Sequence, residues 1–109
     1  MKNSNQAAQD SKLKKIQNFD PSDIGLLNGN LFWLPFTTDE SQVVIVPMPW
    51  EVTVSYRPGT ASGPQTMLDA STQVDLYDSK IPDAWKLGVS MLPISKEWMR
   101  RNNELRKKA

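Results

Sequence analysis

The sequence has no histidine and no cysteine in its 109 residues, and these two absences exclude more chemistry than any single residue invites. Without histidine, the commonest transition-metal ligand and the commonest general base at neutral pH are both missing. Without cysteine there is no thiolate nucleophile, no disulfide framework and no zinc-thiolate site. Net charge is scarce too: 13 Lys and Arg stand against 12 Asp and Glu, leaving +1, so no long-range field draws the chain to nucleic acid or to an anionic membrane. No apolar run approaches the roughly 20 residues that span a bilayer. Met1 to Asp10 is polar and lacks the apolar stretch of a secretory signal. A small secreted domain without disulfides would be unusual, so the expected location is the cytoplasm.

What is present makes one lean domain. The hydrophobic fraction of 39% lies below the average of roughly 45–50%, which also counts glycine. Four Trp, three Phe and two Tyr predict an aromatic core, and eight Pro argue against a long helix in mid-chain. Residues 1–18 are expected to be a flexible extension: Met1 to Ser11 has no large apolar residue after Met1 and cannot repay its ordering entropy. Leu13, Ile16 and Phe19 then suggest one helical turn, ended by Asp20-Pro21. Asp20 to Asp23 reads as a turn and Gly25 to Asn30 as a loop.

The strongest strand signal is Gln42 to Val46, with four consecutive β-branched apolar residues closed by Pro47-Met48-Pro49. Such a run predicts a strand buried on both faces, as in a parallel α/β sheet. Leu87 to Leu92 predicts a second strand. Between them, Pro64 suits the first position of a helix continuing over Gln65 to Val74. Ser95 can cap a final helix over Lys96 to Lys108. A doubly buried strand needs neighbours on both edges and helices on both faces, which the chain offers sparingly, and the last helix runs to Ala109 without a stop signal, so the layout reads as the opening of a larger α/β domain.

Four features invite a functional reading. Arg57-Pro58-Gly59-Thr60-Ala61-Ser62-Gly63-Pro64 is a glycine-bearing loop feeding a helix, able to hold an anion. It matches neither the Walker pattern nor the dinucleotide pattern, and a plain strand-to-helix connection, with Gly59 and Gly63 at positive φ or in close packing, explains it as well. Asp69, Asp75, Asp78 and Asp83 have no metal-ligand spacing and read as surface carboxylates, as do Asp20 and Asp23. The last helix holds six Lys/Arg against two Glu, which complements its macrodipole without requiring nucleic acid; Trp98 and Leu105 give it a thin docking seam. Trp50, at the carboxyl end of the first strand, lies where open α/β sheets gather ligands.

The run from Val43 through Pro47-Met48-Pro49-Trp50, Ser55 to Pro64 and on to Ala70-Ser71 resembles the N-terminal part of the ureohydrolase family, the arginase and agmatinase group. The similarity is specific over about residues 42–78. It is looser at Asp20-Pro21, Asn28 to Phe32 and Trp85 to Gly88, which resemble the agmatinase-like or guanidinase-like branch. The resemblance implies an α/β fold, residues 19–109 being the N-terminal part of a three-layer α/β/α sandwich with a mostly parallel sheet, apparently truncated. It further implies two divalent metals, manganese or in some branches nickel, a small guanidino substrate hydrolysed to release urea, and a homo-oligomer. The family's metal-binding Gly-Gly-Asp-His, Asp-Ala-His-x-Asp and Ser-x-Asp-x-Asp-x-x-Asp-Pro segments do not occur here, so no catalytic or metal residue is carried over. Only loop positions transfer: Tyr56, Arg57, Gly59, Thr60, Gly63 and Pro64 are implied at the active-site entrance or a subunit interface. On this reading the chain alone is catalytically silent. The competing expectation is a small non-catalytic binding module that uses the 55–64 loop and the basic 96–108 helix; a self-sufficient small enzyme fits worst.

Overall fold

The computed structural model describes residues 4–21 and 29–108. The expected turn at Ser22-Asp23 and loop over 25–28 lie outside the described residues. Helix α1 spans Ser4–Asn18, α2 Gly63–Ser71 and α3 Lys96–Lys108; strand β1 spans Val43–Ile45 and β2 Val89–Met91, with short 3-10 turns at Leu31–Trp33, Thr38–Glu40, Thr60–Ser62 and Ala84–Leu87. The strands pair in parallel, Val43 with Val89, Val44 with Ser90 and Ile45 with Met91. A parallel pair requires a crossover, and α2 lies within it. The class is therefore α/β, built as one strand–loop–helix–strand unit with flanking helices.

Helix α1 corrects the expected lead-in. Helix begins at Ser4 rather than near Leu13, because polar and charged side chains anchor it where apolar ones are few. Lys12 Nζ donates to the Leu87 carbonyl at 2.7 Å, Lys15 Nζ to Glu40 Oε1 at 2.6 Å, and Ile16 and Phe19 join the core. That core is Leu34, Phe36 and Trp85. Trp85 stacks at 6.3 Å on Phe36 and meets Phe19 at 5.1 Å.

The strand expected to be buried on both faces is instead open. Val43 is 44% exposed, Val44 39% and Val46 62%, since β1 has β2 as its single neighbour in a two-stranded sheet and none of the described helices covers it. Strand β2 is shorter than expected because Gly88 precedes it at φ 83°. A Cβ there would meet the Glu40 carbonyl oxygen at 3.0 Å, so the close approach of the two segments needs glycine. Helix α2 starts at Gly63, with Pro64 in its first turn, and stops at Ser71 rather than Val74. Ser71 is buried. Its hydroxyl donates to the Leu68 carbonyl at 2.7 Å and accepts the Phe32 amide at 2.9 Å, pinning Phe32 and Trp33, which hold φ of 57° and 54°.

Candidate functional site

Beyond the carboxyl end of β1 the backbone leaves the strand. It folds into a turn, with the Val54 amide donating to the Glu51 carbonyl at 3.1 Å. The loop that follows is organised by Glu51, whose Oε2 accepts the Gly59 amide at 2.6 Å. Gly59 sits at φ 133° with open space where a Cβ would go, so its requirement is conformational. Gly63 is helical at φ −54°, with nothing near its Cβ position. The expected special role for Gly63 therefore does not hold within these residues.

Of the loop candidates, Tyr56 is 85% exposed; Arg57, Gly59 and Thr60 are exposed, and Gly63 and Pro64 half-buried. The Arg57 guanidinium lies 5.5 Å from the Tyr56 ring centroid, a cation–π contact at the loop tip. The exposed members, Tyr56 to Thr60, face outward at the tip of the loop.

Helix α3 holds this loop from below. Ser95 caps it, its Oγ accepting the Trp98 amide at 3.1 Å. Three side chains four residues apart then share one face. Trp98 meets Trp50 edge to face at 5.4 Å. Asn102, 2% exposed, accepts the Glu51 amide at 2.6 Å. Arg106 Nη1 donates to the carbonyls of Glu51 and Val52, each at 3.2 Å, and to that of Val54. The 98–105 seam read from the sequence is thus rotated: Leu105 is exposed and Asn102 is buried. The i, i+4, i+8 spacing of Trp98, Asn102 and Arg106 was the available signal, hidden because two of the three are polar.

Two further arginines of the helix are paired with its two glutamates. Arg100 pairs with Glu97 at 2.6 Å and with Glu104 at 2.7 Å, and Arg101 pairs with Glu97 at 3.1 Å. The hydrogen bonds from Arg100 hold the Glu97 carboxyl below its ordinary value. The acidic candidates also have local work. Asp75 Oδ1 accepts the Tyr77 amide at 2.9 Å, Asp78 Oδ1 accepts the Lys80 amide at 2.7 Å, Asp69 accepts from Gln65 and Asp83 pairs with Lys86. Among the described residues no group of three or more carboxylates is gathered that could hold a metal ion, and none of the helices is long and apolar enough to cross a membrane.

A cleft of about 430 Å³ opens beyond the carboxyl end of β2, between Ser90 to Ile94, Gln65 and Leu68 of α2, and Asn30, Leu31 and Phe36 to Thr38. The Ser90 hydroxyl is buried there with no hydrogen-bond partner among the described residues. The cleft follows the strand-end rule but on β2, whereas Trp50, at the end of β1, is occupied by Trp98.

The model of the Arginase family matches residues 41–96. That stretch takes in β1, the loop, α2 and β2 and ends at the first residue of α3. The chain is also similar to the N(1)-aminopropylagmatine ureohydrolase of Synechocystis sp. (strain ATCC 27184 / PCC 6803 / Kazusa), 45% identical over 42 residues, which are 38% of this chain and 14% of that protein. The matched segment thus spans a small part of the curated relative's length. No solved structure matches the chain. Because the family match extends over more than half of the 109 residues and coincides with the parallel strand–loop–helix–strand unit, this chain belongs to the arginase family.

Proposed function

We propose that the chain is the N-terminal segment of a ureohydrolase that hydrolyses a guanidino C–N bond and releases urea, with the catalytic centre supplied by residues outside these 109. The observation that supports this best is the coincidence of the family match with the β1–loop–α2–β2 unit. The substrate is a small guanidino compound such as agmatine or guanidine; the name of the Synechocystis relative favours the agmatine class. In the complete enzyme, residues 19–109 join a three-layer α/β/α sandwich with 1–18 as an extension. The exposed β-branched faces of β1 suit the helices that such layers place on both sides of a sheet.

The family's chemistry uses two divalent metals, manganese or nickel, to activate water. The residues described here do not fit them, having no histidine and no gathered carboxylates. What this chain contributes is the mouth. Tyr56, Arg57, Gly59, Thr60, Gly63 and Pro64 border the entrance or a contact between subunits of a cytoplasmic homo-oligomer. A guanidino substrate is a cation, and a guanidinium at the loop tip repels it. We therefore assign Arg57 to an acidic group on a neighbouring subunit. The test is a urea assay of the complete protein loaded with manganese or nickel, offered agmatine, guanidine, arginine and N(1)-aminopropylagmatine in turn. Metal-dependent urea from one of them is the expected result; none from any would overturn the reading.

A further inference from the structure

We infer that Asn102 and Arg106 are positioning residues that set the shape of the 51–64 mouth loop from outside the matched family segment. Asn102 and Arg106 read the backbone of Glu51 from both sides, one accepting its amide and the other donating to its carbonyl. Arg106 also engages the carbonyls of Val52 and Val54. A planar guanidinium can serve several carbonyls at once, which an ammonium on a flexible stem does less well.

From Glu51 the constraint passes up the loop. With its main chain fixed, the Glu51 carboxylate is aimed at the Gly59 amide, 2.6 Å away, and the Gly59 carbonyl in turn accepts the Ser62 amide at 2.9 Å, starting the 3-10 turn that leads into α2. The chain of contacts thus runs from α3 through Glu51 and Gly59 to the first turn of α2, with Arg57 and Tyr56 carried on the intervening tip. Trp98 against Trp50 fixes the angle at which α3 lies on it. Because the clamp reads main chain, it tolerates changes in the side chains of Val52, Thr53 and Val54, which are half-buried or exposed.

The catalytic meaning of the clamp rests on the proposed ureohydrolase reading; its conformational part does not. Amide hydrogen exchange of the 109-residue chain, followed by NMR, tests the latter. Asn102→Leu and Arg106→Met should speed exchange at Glu51 and Gly59 by about tenfold or more, while the core amide of Leu34, bonded to the Leu31 carbonyl, stays within about twofold. Asn102→Asp keeps an acceptor and should restore protection at Glu51. In the complete hydrolase the same two substitutions should raise KM for the guanidino substrate about fivefold or more with kcat retained. Unchanged loop exchange, or equal acceleration at Leu34, overturns the clamp. Selective loop loss in a complete protein that makes no urea upholds the clamp and overturns the hydrolase reading alone, while selective loop loss with KM unchanged overturns the positioning role.

Discussion

Replacing Glu40 by Gln should loosen helix α1 from the body of the protein, in a manner that depends on pH. Glu40 is 6% exposed, yet it remains charged because hydrogen bonds from two segments converge on its carboxylate. Lys15 of α1 donates at 2.6 Å, the Thr37 amide at 2.8 Å and the Thr37 hydroxyl at 3.1 Å. Burial by itself pushes the carboxyl up, but the hydrogen bonds from Lys15, Ser11 and Thr37 together outweigh it and bring the group down from 4.5 to about 2. At about 1.4 kcal/mol per unit this shift corresponds to on the order of 3 kcal/mol of stability. Lys15 is a third exposed, so solvent screening trims its share and about 2 kcal/mol is the working figure.

The sign follows from the depressed value. The contribution is complete above the unfolded value near 4.5 and drains away as pH falls toward 2, because the unfolded chain takes up the proton first. The assay is the Trp85 indole resonance, since Trp85 packs at 5.1 Å from Phe19, just past the end of α1. Titrating the parent from pH 6 to 2 should shift that resonance toward its undocked position below about pH 4, and Glu40→Gln should show the undocked shift already at pH 6 with little further change. A parent insensitive to acid, or a variant with the same pH profile as the parent, would refute the reasoning.

Ser71→Ala should cost about 1–3 kcal/mol, because it leaves the Phe32 amide without an acceptor at a backbone already held at positive φ; urea unfolding of parent and variant measures it. Gly59→Val should cost roughly 1–3 kcal/mol from its φ of 133°, whereas Gly63→Ala, at a helical φ of −54°, should be neutral or stabilising by up to about 1 kcal/mol; thermal unfolding separates the two. Arg57→Ala should change the stability of the chain by less than about 0.5 kcal/mol, yet weaken the complete oligomer in sizing experiments while its metal content is unaltered.

The elements driven by local signals were legible in the sequence. Four β-branched residues before a proline place β1, Pro64 marks the first turn of α2, and Ser95 followed by good helix formers marks α3. Burial was not legible, because it depends on neighbours: the same Val43 to Val46 run that suits a covered strand is exposed when β2 is its single partner. Helix α1 escaped because hydrophobic periodicity is blind to a helix moored by Lys12 and Lys15 to distant oxygens. The loop candidates emerged from family likeness, but the residues beneath them did not. Asn102 and Arg106 look like ordinary surface residues of a basic helix until the fold brings the Glu51 backbone against them.

The proposed ureohydrolase reading places this chain in a urea-releasing enzyme, and carbon-13 NMR follows that chemistry at the reacting atom. The complete protein, loaded with manganese or nickel, would be incubated with agmatine or guanidine labelled at the guanidino carbon, beside a metal-stripped sample and the 109-residue chain alone. The guanidino signal should convert to the urea signal in the metal-loaded complete protein and persist in the other two. Persistence of the guanidino signal in all three, with N(1)-aminopropylagmatine as well, would contradict the ureohydrolase reading.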